Sequence, residues 1–256
     1  MSFSFFLENQ LRSFFRPFLA FVFALPIQAA PEGKWLEARQ AYDKGEYPLA
    51  VSLYSELTQQ DDASGYVYYN LGNSQYRSQH RGEAMAAYLA ARARMPRNPD
   101  IKANLKYVHG QGLDHVNIER NPSIFFFWQS VVTSSELYAG ALGVGAFSLL
   151  LLAMGWWLLT LSWLRTFGRV GIFCALLVGA AAWRQEIRQD VWGAVVKTEA
   201  KVYSAPGAHN LVLFSLHEGA PFLRVQQTGE WTQILLLEDT TEKIGWVATS
   251  DIRVYP

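Results

Sequence analysis

A surplus of either charge is missing from this sequence: 22 Lys and Arg are balanced by 22 Asp and Glu. Nucleic-acid binding draws its affinity from clustered cations that release counterions from phosphate, so no nucleic-acid partner is expected. Cysteine is nearly absent as well. The single Cys174 excludes an intramolecular disulfide, a CxxC redox pair and any Cys-rich zinc or iron–sulfur site. The chain also lacks GxxxxGK[ST] for nucleotide phosphate, HExxH for zinc hydrolysis, GxSxG for a serine nucleophile and a DxDxDG calcium loop. His109 and His115 are too loosely spaced to hold a metal from one helix face. No catalytic residue, cofactor or metal is therefore expected. Charge of any kind is scarce too, at 17% of residues against 50% apolar. Soluble domains carry roughly 25%, and the deficit here is uneven, which points to membrane segments.

Residues 1–29 place Arg12 and Arg16 before the short apolar run Phe18–Leu25, followed by Pro26 and the small pair Ala29-Ala30. This pattern predicts a secretory signal peptide, or an anchor if it is left uncut. From Ala139 to Trp163 no side chain ionises, which predicts a transmembrane helix over 136–164. A second span is expected over 167–184, with a cytoplasmic loop at 165–169 carrying Arg165 and Arg169 and no acid. Two spans return the chain to the side from which it entered, so both soluble parts are expected in the periplasm. Small residues at helical spacing, Ala139 and Gly143 in the first span and Gly171, Ala175 and Gly179 in the second, predict close packing within the hairpin.

Slid over itself at one constant offset, the sequence superposes Trp35 on Tyr69, Ala38 on Gly72, Tyr42 on Tyr76, Ala50 on Ala84 and Tyr54 on Tyr88. Small residues fall on small and aromatic on aromatic. A period of about 34 residues with this content resembles the tetratricopeptide (TPR) repeat. Residues 30–110 are accordingly expected to form an all-α domain of two repeats plus a cap. Asn98 and Pro99 mark the start of that capping helix, whose apolar face is Ile101, Leu105 and Val108. Two repeats fall short of the roughly three that such a stack needs, so a partner or another part of the chain should complete it. The resemblance places the first helix of each repeat along a concave face, which here presents Arg39, Tyr42, Tyr66, Tyr69, Asn73, Tyr76 and Arg77. Residues 111–135, with Phe125-Phe126-Phe127-Trp128, form a linker and interfacial segment.

After Gln189 the apolar pattern changes to period two in short runs separated by Gly, Pro, Asn and Asp, predicting five or six strands. Val202-Tyr203-Ser204-Ala205-Pro206, Gly229-Glu230-Trp231 and Gly245-Trp246-Val247, in that order, resemble a bacterial SH3-like barrel over 193–256. Trp231 and Trp246 are expected in its core or rim. Five Lys/Arg against seven Asp/Glu in this stretch give a mildly acidic surface.

The complete order is signal segment, TPR pair, aromatic approach, two-helix transmembrane hairpin and all-β SH3-like barrel. It resembles the TPR- and SH3-containing member of the bacterial aerotolerance operon (Bat) family. That resemblance implies a multidomain membrane protein of the bacterial inner membrane and a non-enzymatic scaffold in an envelope stress-tolerance complex. It also implies membrane-anchored von Willebrand A-domain partners, with membrane lipid around the hairpin. A different reading of the same sequence is a cell-wall tether in which the barrel binds peptidoglycan peptides.

Overall fold

The computed structural model describes residues 32–60, 63–114, 116–118, 132–158, 161–187, 190–238 and 241–255. The proposed signal segment and the Phe125–Trp128 run lie outside the described residues. Five short helices come first: α1 (Glu32–Asp43), α2 (Tyr47–Leu57), α3 (Gly65–Arg77), α4 (Arg81–Arg94) and α5 (Pro99–His109). Their starts keep the sequence period: Tyr47 of α2 and Arg81 of α4 stand one period apart, and so do Gly65 of α3 and Pro99 of α5. Asn98 caps α5 as its side chain predicts, accepting from the N–H groups of Asp100 and Ile101. Equivalent residues make equivalent contacts. Trp35 meets Tyr54 edge-on at 5.6 Å between ring centroids, and one period later Tyr69 meets Tyr88 at 6.2 Å. Ala38, Ala50 and Ala84 are fully buried, and a Cβ on Gly72 would lie 2.6 Å from the Tyr88 ring. The small side chains stand where antiparallel helices approach closely.

Two long helices follow, α6 (Ser134–Trp157) and α7 (Ser162–Ile187). Each contains 24 residues in a stretch long and apolar enough to cross a membrane, about 36 Å at ~1.5 Å per residue. Thr133 and Glu136 close a capping box at the start of α6. The turn lies between Leu158 and Leu161, where the Leu161 N–H donates to the Leu158 carbonyl. The loop expected at 165–169 is therefore the first turns of α7. Packing sets this register. Gly145 faces Ala175, Ser148 faces Gly171, Leu152 faces Gly168, and Gly155 faces Leu164 and Arg165. Each small residue admits a larger neighbour from the other helix, and all four layers agree with α6 ending at Trp157 and α7 beginning at Ser162. A charge-based placement misses this, because the sequence between the two helices carries no ionisable side chain.

The third part is a seven-stranded antiparallel sheet in the order β3-β2-β6-β5-β4-β1-β7. Its strands are β1 (Trp192–Val195), β2 (Glu199–Tyr203), β3 (Val212–His217), β4 (Pro221–Thr228), β5 (Trp231–Leu237), β6 (Glu242–Ala248) and β7 (Ile252–Val254). Bulges at Val202/Tyr203 and Arg224/Gln226 bend the sheet around a core of Val195, Val202, Phe222, Ile234, Leu236 and Val247. Trp246 is buried, whereas Trp231 sits half-buried against Tyr203 with ring centroids 5.4 Å apart. The seventh strand, β7, is too short to show a period of two. The segment after α5 also joins this core: Val116 is buried in it, and the Asn117 N–H donates to the Leu237 carbonyl at 2.7 Å.

Helix and sheet units meet along α4. Gly82 lies so close to β1 that an added Cβ would collide with the Val195 carbonyl oxygen. The Gly82 N–H donates to Glu218 Oε1 at 3.0 Å, and Arg253 forks onto Glu83 with contacts of 2.9 to 3.1 Å. The Tyr255 ring packs edge-on against Tyr68 at 5.6 Å, and the Arg92 guanidinium lies over Trp192 at 5.2 Å. The sheet unit of the same chain thus covers one side of α4. If Ala84 is the tight point of this packing, Ala84→Leu should cost about 1–3 kcal/mol in denaturant unfolding of the full chain. Ala93→Leu on the exposed side of the same helix should cost less than about 0.5 kcal/mol, and equal costs would contradict the packing account.

Candidate functional site: the tyrosine groove

Between α1, α3, α4 and α5 the helices leave a concavity of about 150 Å³ lined by Tyr42, Asn73, Tyr76, Arg77, Tyr88, Asn104, Tyr107 and Val108. Its polar floor is an ordered network. Asn73 Oδ1 accepts from the Tyr88 hydroxyl at 2.7 Å and from Asn104 Nδ2 at 3.0 Å. Among the described residues, nothing engages Asn73 Nδ2 or Asn104 Oδ1, so one amide donor and one amide acceptor remain for a ligand. This pair suits the alternating C=O and N–H groups of an extended peptide. The rim is aromatic and cationic. Arg77 donates to the Tyr47 hydroxyl at 2.6 Å and lies over its ring at 5.0 Å, and Tyr76 meets Tyr107 edge-on at 5.8 Å. The Tyr76 hydroxyl also exchanges hydrogen bonds with Gln111 at 3.2 to 3.3 Å.

Of the seven residues expected on this face, Tyr42, Asn73, Tyr76 and Arg77 line the concavity. Tyr69 is half-buried beneath it against Tyr88, Arg39 is turned outward beside Asp43 at 3.9 Å, and Tyr66 is exposed outside the lining. Tyr88, Asn104, Tyr107 and Val108 fall outside that expectation. A signal for two of them exists: a further step of one period carries Asn73 onto Tyr107 and Asn70 onto Asn104. The cap helix therefore supplies a third row of the groove.

Within the hairpin, Gly171 and Ala175 stand at the helix contact as expected from their spacing. Ala139, Gly143 and Gly179 do not. Ala139 is exposed, and a Cβ on Gly143 or Gly179 would meet nothing within 4 Å. The register fixed by Ser148 and Gly171 turns those three away from the partner helix. The packed small residues that spacing overlooks are Gly145, Ser148, Gly155 and Gly168. Cys174 lies on the exposed side of α7. Among the described residues, no three His, Cys, Asp or Glu side chains gather closely enough to hold a metal ion.

No family model, curated protein or solved structure matches the chain.

The aromatic groups differ in their titration. Burial pushes the Tyr54 phenol up to about 12 from its ordinary 10.0, and burial likewise raises Tyr88. Hydrogen bonding with Tyr107 and Gln111 instead lowers Tyr76. Because Tyr54 and Tyr88 are neutral in the folded state and their values are raised, their contribution to stability is complete below pH 10. It is lost as pH climbs through the folded values. Phenolate absorbance should therefore rise first without loss of circular dichroism as Tyr76 ionises, and the helical signal should fall only as pH climbs above 10. Ionisation of all tyrosines in one step near pH 10 with the helices intact would contradict the burial.

Proposed function

We propose that this chain is a membrane-anchored assembly scaffold whose helical-repeat groove grips an extended segment of a protein partner. The observation that carries this reading is the division of labour around the repeat stack. One side of α4 is occupied by the sheet unit, whereas α3 and α5 hold an open, pre-ordered amide pair within an aromatic rim. The regular spacing of the helix starts and the repeated ring contacts support a TPR-like stack. The strand order and the Tyr203–Trp231 pair support an SH3-like recognition module beside it. On the resemblance to the aerotolerance family, the partners are membrane-anchored proteins of von Willebrand A-domain type in an inner-membrane stress-tolerance complex.

Topology follows from contact. Residues before the hairpin touch residues after it through Glu83–Arg253 and Asp114–His217, so a hairpin that crosses the bilayer leaves both soluble units on one side. Arg165 and Arg169, in the first turns of α7 next to the hairpin connection, favour the cytoplasm there and so support a periplasmic side for the soluble units. In a Cys174→Ser background, cysteines at Lys102 and Glu230 should be labelled by a membrane-impermeant reagent from the periplasm, and one at Ser162 only from the cytoplasm. Labelling of Lys102 and Glu230 from opposite sides would overturn the hairpin topology.

The function is tested with Arg77→Ala and Tyr107→Ala together, both on exposed rim residues. In-cell crosslinking to a von Willebrand A-domain membrane protein should fall at least tenfold, the loss of a central contact worth about 2 kcal/mol. The open recess beside Trp231, lined by Glu230, Thr249 and Ser250, keeps peptidoglycan as the second candidate ligand. If the chain is a wall tether, the full protein sediments with purified peptidoglycan, Trp231→Ala releases it, and the groove pair changes nothing. That set of outcomes would replace the scaffold reading.

A further inference from the structure

The start of α7 carries cations without counterions. Between Glu136 and Glu186 the sequence contains no carboxylate, yet α7 places Arg165 and Arg169 one turn apart within its first eight residues. Trp163 and Trp183 stand near opposite ends of α7, about 30 Å apart along its axis, which is the hydrocarbon thickness. With Trp156, Trp157 and Trp163 at one interface, Arg165 starts ~3 Å and Arg169 ~9 Å below that belt. Arg165 is seated rather than loose. Its stem packs on Gly155, where an added Cβ would lie 2.7 Å from Arg165 Cγ, and its guanidinium lies over the Trp156 ring at 5.6 Å. Arg169 is exposed on the outer surface of α7. Among the described residues, no carboxylate is within ion-pair distance of either guanidinium. Guanidinium groups at this depth are costly unless an anion meets them, and within the leaflet the available anion is phosphate.

We propose that Arg165 and Arg169, seated by Gly155 and Trp156, form a binding site for the phosphate of an anionic phospholipid headgroup. The inference rests on the hairpin spanning the bilayer. The two side chains reach outward from the acyl region, so one diester phosphate sits between their forks while Trp156 fixes the upper guanidinium from the side. A net-negative lipid neutralises the pair. A zwitterionic lipid brings its own cation and competes poorly.

The test uses the full chain in mild detergent after removal of bound lipid, titrated with fluorescent phosphatidylglycerol or phosphatidylcholine. Two cations near a phosphate plane should give about thirtyfold preference for phosphatidylglycerol. Arg165→Gln with Arg169→Gln should bring that preference close to unity, Arg165→Lys with Arg169→Lys should retain most of it, and Arg184→Gln at the far end should leave it unchanged. Gly155→Ala, which pushes the Arg165 stem aside while keeping both charges, should lower the preference severalfold. Equal binding of both lipids by the unsubstituted chain, an unchanged preference in the double glutamine variant, or a loss caused equally by Arg184→Gln would overturn the site. Displacement of the lipid by millimolar inorganic phosphate would assign it to the free anion instead, and would also overturn it. Failure of the spanning reading is distinguishable, because alkaline carbonate would then release the unsubstituted chain from native membranes.

Discussion

Helix α4 is buried without interruption from Ala84 to Ala91, and the rest of the molecule is arranged around that constraint. A helix in a repeat stack ordinarily keeps one polar stripe for water. This one has α3 on one side, α5 on another and strand β1 on a third, so its composition follows: five alanines among those eight residues, with Met85, Tyr88 and Leu89 filling the gaps. Alanine serves two needs at once. It is the strongest helix former, and its single methyl lets neighbouring axes approach to the lower end of the usual spacing. Gly82 extends the same logic to backbone contact with Val195, and Glu83 then finds Arg253 within reach. The core shared by the two units even includes Ala194 of the sheet and draws on Trp192 and Tyr255.

This arrangement explains why the groove lies where it does. With one side of α4 committed to the sheet, polar side chains survive on α3 and α5, where Asn73 and Asn104 hold the Tyr88 hydroxyl of α4 in place. Pre-ordering matters energetically, because a ligand meeting fixed amides does not have to offset the rotamer entropy of arranging them. Tyrosine suits the rim for a related reason: it offers a large rigid face at the cost of two torsions.

Much of the helical part is legible in the sequence, because one period repeats the same small and aromatic positions and Asn98-Pro99 announces a helix start. The strands are legible from their alternation, apart from the short β7. Three things are not. Charge marks the wrong place for the hairpin turn, whereas glycine–serine interlocking fixes it. The groove is only half readable, since the apolar face of the cap helix draws attention away from Tyr107 on its other side. The contact between the helical and sheet units is hinted at only by the short repeat count, and no residue announces it. Arg81, Glu83 and Arg253 look like ordinary surface charge, and nothing local tells a solvated Glu83 from one that meets an arginine 170 residues away.

The segment that includes Asp114 and Val116 bears on the order of events during synthesis. Asp114 accepts from the His217 backbone N–H at 2.7 Å across 103 residues of sequence, and Val116 supplies one side chain of a core otherwise drawn from residues after the hairpin. Loop closure over that distance carries an entropic cost that is recovered only when both ends have met. The sheet core is therefore complete only after the strands made behind the two long helices have met Val116. Val116 thus ties the segment that precedes the two long helices to the sheet that follows them, and without it the core built from residues after α7 is one apolar side chain short.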